Sequence, residues 1–88
     1  MPDFSSLAPM DRDHRFRALI AAAEVEAIKA NGSASASFFA GYLSGIRAGA
    51  DTFGSLRFDM LEQEAKTVPG DFGSGFRAGL MNIEIALA

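Results

Sequence analysis

The chain lacks cysteine and tryptophan, and its 88 residues include only one histidine and three prolines. Without cysteine it forms neither a disulfide nor a thiolate metal site, and His14 alone does not complete a zinc site. No apolar run reaches the roughly 20 residues that span a bilayer. The first ten residues also lack the basic start and apolar stretch of a secretory signal. These absences predict a cytoplasmic protein with no metal and no membrane segment.

Catalytic motifs are equally scarce. Glu62 and Glu64 are two residues apart, which points their carboxylates to different sides of a helix. Glycines around Gly70 open a helix where a phosphate could bind, but no lysine follows, and Asp71 would repel an anion. A Gly-x-Ser-x-Gly turn, which presents a serine nucleophile, does not occur. We therefore predict no catalytic residue, no cofactor and no enzymatic activity.

The composition is that of an ordinary globular protein. Hydrophobic residues make up 49% of the chain and charged residues 22%, and the net charge is −3. This length leaves room for one domain. Residues 1–8 carry no periodicity, and we assign residues 1–10 to an N-terminal tail that docks through Phe4 and Leu7. Residues 11–88 are predicted to form a single helical domain.

Apolar residues recur at steps of three and four along most of the chain, which is the spacing of amphipathic helices. The spacing predicts helices over residues 11–31, 36–66 and 72–87. The middle segment is either one helix or two, broken between Asp51 and Gly54, and its unbroken apolar seam favours a continuous or kinked helix. Short connectors predict an all-α, antiparallel bundle of three to four helices. The predicted core consists of Phe16, Leu19, Ile20, Ala23, Ala27, Phe38, Tyr42, Leu43, Ile46, Phe53, Leu56, Met60, Leu61, Phe76, Leu80 and Ile83.

Glycines occupy regular helical positions. Three of them, Gly41, Gly45 and Gly49, lie four residues apart, at a cost of about 0.5 to 1 kcal/mol each relative to alanine. We expect this glycine row to admit a close helix crossing, which is either internal or open to a partner. The pattern Phe-x-x-Gly-aromatic-x-x-Gly occurs twice, 34 residues apart. A tetratricopeptide repeat does not fit, because its Leu-Gly-x-x-Tyr core is absent. Two explanations of the repeated pattern stay open. Either one segment was duplicated, or two unrelated helices pack in the same way.

Arginines and aromatics are the candidate binding residues, because both types are enriched where binding energy concentrates. Arg12, Arg15 and Arg17 form a basic segment near the start of the first helix. The alternative account of this segment is that neighbouring aspartates neutralise it. The full set of predicted partner-binding residues is Arg12, Arg15, Arg17, Phe39, Tyr42, Arg47, Phe72, Phe76 and Arg77.

In size, acidity and lack of cysteine the chain resembles the small inhibitors carried by phages and mobile elements, including anti-CRISPR proteins. The resemblance implies a non-enzymatic protein that binds a CRISPR effector and blocks target DNA binding or nuclease recruitment. It assigns no role to an individual residue. Two alternatives stay open. One is a nucleic-acid-binding regulator that uses the basic segment, and the other is a structural or adaptor subunit that forms a homo-oligomer, such as a homodimer, through its apolar last helix.

Overall fold

The computed structural model describes residues 4–87, and it describes side chains for residues 12–86. Within that part the chain forms four helices and no strand, which confirms the all-α class. The helices are α1 (Phe4–Ala30), α2 (Ala36–Thr52), α3 (Leu56–Ala65) and α4 (Gly70–Leu87). In this described part, none of the helices combines the length and apolar character needed to cross a bilayer.

Helix α1 begins at Phe4, well before its predicted start at Asp11. Residues 4–10 therefore belong to a helix, although their apolar pattern is not periodic. Pro9 lies inside α1 as the sixth residue of the helix, where it removes one i→i−4 hydrogen bond without ending the helix. The predicted docking of Phe4 and Leu7 concerns side chains outside the described set.

The middle segment forms two helices, so the preference for a continuous helix is wrong. Phe53 leaves the helical conformation with φ −56° and ψ 137°, and Gly54 follows with φ +83°. A positive φ is cheap for glycine alone, so this residue permits the turn. The break rotates α3 relative to α2. Phe58 and Ala65 consequently face the core, whereas Leu56 and Met60 face solvent.

The core confirms part of the predicted set. Buried members are Phe16, Ala23, Ile46, Leu80 and Ile83. Half-buried members are Leu19, Ile20, Ala27, Phe38, Tyr42, Leu43, Phe53, Leu61 and Phe76. The prediction is wrong for Leu56 and Met60, which are 79% and 61% exposed. The prediction missed Phe58, which is 5% exposed, because it extends the apolar spacing of α2 through residues 53–55, where the helix breaks.

The second and fourth helices run in the same direction where they meet, because Gly41, Gly45 and Gly49 of α2 face Phe72, Phe76 and Leu80 of α4 in the same order. Carbonyl oxygens of four aromatic residues each lie against a glycine of the other helix. The pairs are Phe38 with Gly75, Tyr42 with Gly79, Phe72 with Gly41 and Phe76 with Gly45. Gly49 instead faces the side chains of Leu80 and Ile83. The glycine row is therefore an internal crossing, and α4 fills it.

These contacts are reciprocal. A residue of α2 and the residue 34 positions later in α4 make the same contact, as Phe38 does on Gly75 and Phe72 does on Gly41. Reciprocal contacts of this kind arise from a two-fold relationship, whereas stacked solenoid repeats contact each other by translation. The molecule thus consists of two helical hairpins, α1–α2 and α3–α4, that meet through their second helices.

Candidate functional site: the groove between α1 and α2

The basic segment lies on the exposed face of α1, but its three arginines differ in their surroundings. The Arg15 Nη1 group donates a hydrogen bond of 2.9 Å to the carbonyl oxygen of Ala86, near the end of α4. A cation at a helix C-terminus is favourable because the unpaired carbonyls there carry partial negative charge. Arg15 therefore helps to hold α1 against α4. Arg12 and Arg17 are exposed.

Arg77 is half-buried and also bonds within the chain. Its Nη1 group donates to the carbonyl oxygens of Ala65 and Val68, at 2.8 and 3.0 Å. These carbonyls belong to the end of α3 and the connector that follows it, where backbone acceptors lack helical partners. Arg77 therefore closes the C-terminal end of α3 against α4. Its donors are engaged within the chain, which sets it apart from an exposed arginine.

The predicted aromatic residues line the crossing of α2 and α4. Phe39 and Tyr42 pack edge to face with ring centroids 6.3 Å apart, and Phe72 and Phe76 stack at 6.4 Å. The Asn82 side-chain amide donates to the Tyr42 hydroxyl, which joins the two helices. Phe72 is the most exposed of these four residues, at 37%. Most of this aromatic surface consequently stabilises the crossing itself.

Two predicted site residues, Arg17 and Arg47, line one depression between α1 and α2. Its volume is about 410 Å³, and it is lined by Asp13, Phe16, Arg17, Ile20, Arg47, Ala50 and Asp51. Arginines from two helices thus face the same space, together with two carboxylates. The two arginines and the two carboxylates that line this depression give it no net formal charge.

A second depression continues along the same helix junction, and Arg47 lines both. It has a volume of about 520 Å³ and is lined by Glu24, Ala27, Ile28, Asn31, Ala36, Ala40, Leu43 and Arg47. Alanines on both helices keep its floor low and apolar. Ile28 is 74% exposed. We call the two depressions together the α1–α2 groove.

An ion pair spans this groove. The Arg47 Nη2 group lies 3.7 Å from a Glu24 carboxylate oxygen, and the two side chains are 57% and 47% exposed. Exposed pairs of this kind contribute only about 0 to 1 kcal/mol because water screens them. Either partner can therefore exchange its contact for a charged group of another molecule at little cost.

Two features of the surface were not predicted from the sequence. Ile28 is absent from the predicted binding residues, and it lies about 100° around the helix from the half-buried Ala27, which places it at the groove rim. Glu62 meets Glu84 of α4, so the chain does contain a facing carboxylate pair. A hydrogen bond with Glu84, followed by desolvation and repulsion, raises the pKa of Glu62 from 4.5 to about 7. Only the packing of α3 on α4 brings these two residues together.

Among the described residues, no three histidine, cysteine, aspartate or glutamate side chains come together as a metal site requires. The fold and the groove define the class of this protein as a four-helix all-α protein with an open interhelical groove. The chain matches no family model, no curated protein and no solved structure.

Proposed function

We propose that this chain is a non-enzymatic protein-binding module that receives a segment of its partner in the α1–α2 groove. The observation that carries the proposal is Ile28, an isoleucine 74% exposed beside an alanine-lined floor. Burying an isoleucine side chain is worth about 1.5 to 3 kcal/mol relative to leaving it in water. A partner that covers Ile28 gains this energy.

The shape of the groove suits a protein segment. It runs along the junction of two helices, from Asp13 and Asp51 at one end to Asn31 at the other. A partner helix lying in it would place apolar side chains over Ala40 and Leu43. This arrangement resembles the way amphipathic helices bind apolar grooves in general.

Arg47 is proposed to orient the partner segment in the groove. It lines both halves of the groove, and its pair with Glu24 is exposed. A carboxylate of the partner beside Arg47 would form a pair that is buried in the complex, where charge-assisted hydrogen bonds are stronger than on the surface. The partner segment is therefore proposed to be apolar with at least one acidic residue.

Nucleic acid fits the described surface less well. Two of the predicted arginines, Arg15 and Arg77, already donate hydrogen bonds to carbonyl groups of this chain. Arg17 shares its depression with two carboxylates, which would lie close to any phosphate bound there. These contacts favour a protein partner.

The identity of the partner rests on the resemblance to anti-CRISPR inhibitors. We propose a CRISPR effector protein as the partner, with the module acting in the cytoplasm by blocking target DNA binding or nuclease recruitment. Purified effector complexes are therefore the first proteins to test, by measuring their affinity for the chain and their DNA binding in its presence.

The test compares three variants with the parent chain. Ile28→Asp and Arg47→Glu alter the groove, and Arg57→Glu makes the same charge change at an exposed site on α3. We expect both groove variants to bind the effector at least about tenfold more weakly, equivalent to about 1.4 kcal/mol, with melting temperatures close to the parent value.

Arg57→Glu should bind as the parent does. Equal binding by all four proteins would exclude the groove as the site. Binding that falls steeply with added salt, and that needs only DNA, would instead favour the nucleic-acid alternative.

A further inference from the structure

The apolar seam of α2 continues in the sequence beyond the point where the helix ends. Leu56 and Met60 follow Phe53 at steps of three and four, so in one continuous helix they would share the α2 face that carries Gly45 and Gly49. In the observed fold they lie on the outer side of α3, 79% and 61% exposed. Two large apolar side chains are thus in register with a buried face but are exposed to water.

The hinge that separates α2 from α3 is short. It consists of residues 53–55, and Gly54 holds φ +83° with open space around it. Ser55 precedes α3 but makes no side-chain cap to it, because its hydroxyl donates to the Thr52 carbonyl. Phe53 and Ser55 on either side of Gly54 have extended backbone angles, with ψ 137° and 166°, so three consecutive residues change conformation when the hinge becomes a helical turn.

The contact between the two hairpins is reciprocal, as described above for Phe38 with Gly75 and Phe72 with Gly41. If the hinge straightens, the α3–α4 hairpin leaves α2, and both glycine surfaces open. A second copy of the chain offers the same two surfaces in the same register. Exchange of identical elements in this way remakes the contacts of the monomer without any new complementarity.

We propose that this chain forms a domain-swapped homodimer in which α2 and α3 join into one helix and α4 packs on α2 of the second copy. The dimer releases Gly54 from its positive φ angle and brings Leu56 and Met60 onto the face that meets the other copy. The hydrogen bond from Arg77 to the Ala65 carbonyl within the α3–α4 hairpin is kept, and the contact of Phe58 with Gly49 passes to the second copy. This proposal is independent of the α1–α2 groove.

The experiment uses the full-length chain and size-exclusion chromatography with light scattering. Gly54→Ala disfavours the hinge turn and favours a continuous helix, because alanine tolerates a positive φ poorly and propagates a helix well. Two hinges straighten in each dimer, so we expect the association constant to rise by about tenfold or more. Gly32→Ala is the matched control, since Gly32 has φ +79° and open space but lies between α1 and α2.

A dimer increase in Gly54→Ala and not in Gly32→Ala supports the proposal. An increase in both variants, or in neither, overturns it. Cross-linking then tests the exchange, because the chain has no cysteine of its own. A Gly54→Ala chain with Tyr42→Cys is mixed with one that carries Asn82→Cys and treated with a short bismaleimide. A link between the two chains is expected, and a dimer without it overturns the swap.

If circular dichroism shows that Gly54→Ala has lost its helices, the comparison moves to the parent chain refolded at high concentration. Its dimer fraction should exceed that of the double variant Leu56→Ser, Met60→Ser several-fold. Both side chains are exposed in the monomer, so the monomer itself should be unaffected. Equal dimer fractions would overturn the proposal.

Discussion

The carbonyl group of Phe38 lies directly against Gly75, so that a β-carbon added at Gly75 would lie 2.8 Å from the Phe38 carbonyl carbon. Real β-carbons do not approach a carbonyl carbon this closely, because the distance is well inside van der Waals contact. The symmetry-related contact of Phe72 on Gly41 has the same value, 2.8 Å. These two contacts of a glycine with a backbone carbonyl group set the distance between α2 and α4.

The first prediction follows from this contact. Gly75→Ala should destabilise the chain by about 3 kcal/mol, because the obstacle is backbone and the two helices must separate. Gly49→Ala is the control, since its β-carbon would meet side chains and no backbone, with Ile83 Cγ1 at 3.0 Å, Leu80 Cδ2 at 3.1 Å and Phe58 Cε2 at 3.4 Å. It should stay within about 1 kcal/mol of the parent, because alanine also favours the helix. Urea unfolding measures both, and a Gly75→Ala chain as stable as the parent would rule out the close crossing.

The second prediction concerns the orientation of α3. Phe58 is buried at 5% exposure and packs edge to face against Phe53, with centroids 5.1 Å apart. Phe58→Ala should therefore cost about 3 to 5 kcal/mol. Leu56→Ala, at a position 79% exposed, should change stability by less than about 0.5 kcal/mol. The reverse order in chemical unfolding would indicate that α3 continues the phase of α2.

The third prediction is a pH dependence. The pKa of Glu62 is raised from 4.5 to about 7, first by its hydrogen bond with Glu84 and then by desolvation and repulsion. The folded chain therefore holds this proton more tightly than the unfolded chain does. The stabilisation is complete below pH 4.5 and is lost as the pH rises through about 7.

Glu62→Gln removes this titration and should flatten the decline in unfolding free energy between about pH 5 and 8. Glu64→Gln, at an exposed position on the same helix, should keep the slope of the parent. Unfolding midpoints in urea across this range provide the measurement. A parent-like slope in Glu62→Gln would show that the pair with Glu84 does not hold the proton.

The fourth prediction concerns Arg77. Arg77→Met keeps an unbranched apolar stem but removes the donors to the Ala65 and Val68 carbonyls. The loss should cost about 1 to 3 kcal/mol, because the Val68 carbonyl loses its charged donor and the Ala65 carbonyl keeps only the bond from the Val68 N–H. Amide exchange of Val68, whose N–H donates to the Ala65 carbonyl, should accelerate. Arg57→Met, at an exposed position, should leave both the stability and this exchange rate unchanged.

Arg15 contributes to the fold as well as to the basic segment, so a variant at this position changes both. Its hydrogen bond to Ala86 means that Arg15→Glu would place a carboxylate beside the carbonyl end of α4. We expect that variant to lower the melting temperature, which would obscure any loss of binding. Arg12→Glu with Arg17→Glu tests the same segment with exposed residues alone, and its melting temperature should match that of the parent.

Much of the candidate surface was beyond the reach of sequence reasoning. Arg17 and Arg47 are 30 positions apart, and their shared groove depends on the angle at which α1 meets α2. Arginine is a residue type common in binding sites, but the Arg77 side chain donates to the Ala65 carbonyl at the end of α3. Residue type predicted which side chains could bind, and packing determined which of them already have partners within the chain.

The sequence by itself determined the all-α class, the positions of the α1–α2 and α3–α4 connectors and the close approach at the glycine row. Those features depend on local spacing, on proline and on the missing β-carbon of glycine, all of which are readable along the chain. Only the tertiary structure decided that α2 ends at Thr52 and that Phe58, not Leu56, is buried. The helical period of the apolar residues passes unchanged through Gly54, so local spacing favours the continuous helix. The fold breaks there because α4 (Gly70–Leu87) must reach the glycines of α2, and that long-range contact is absent from local spacing.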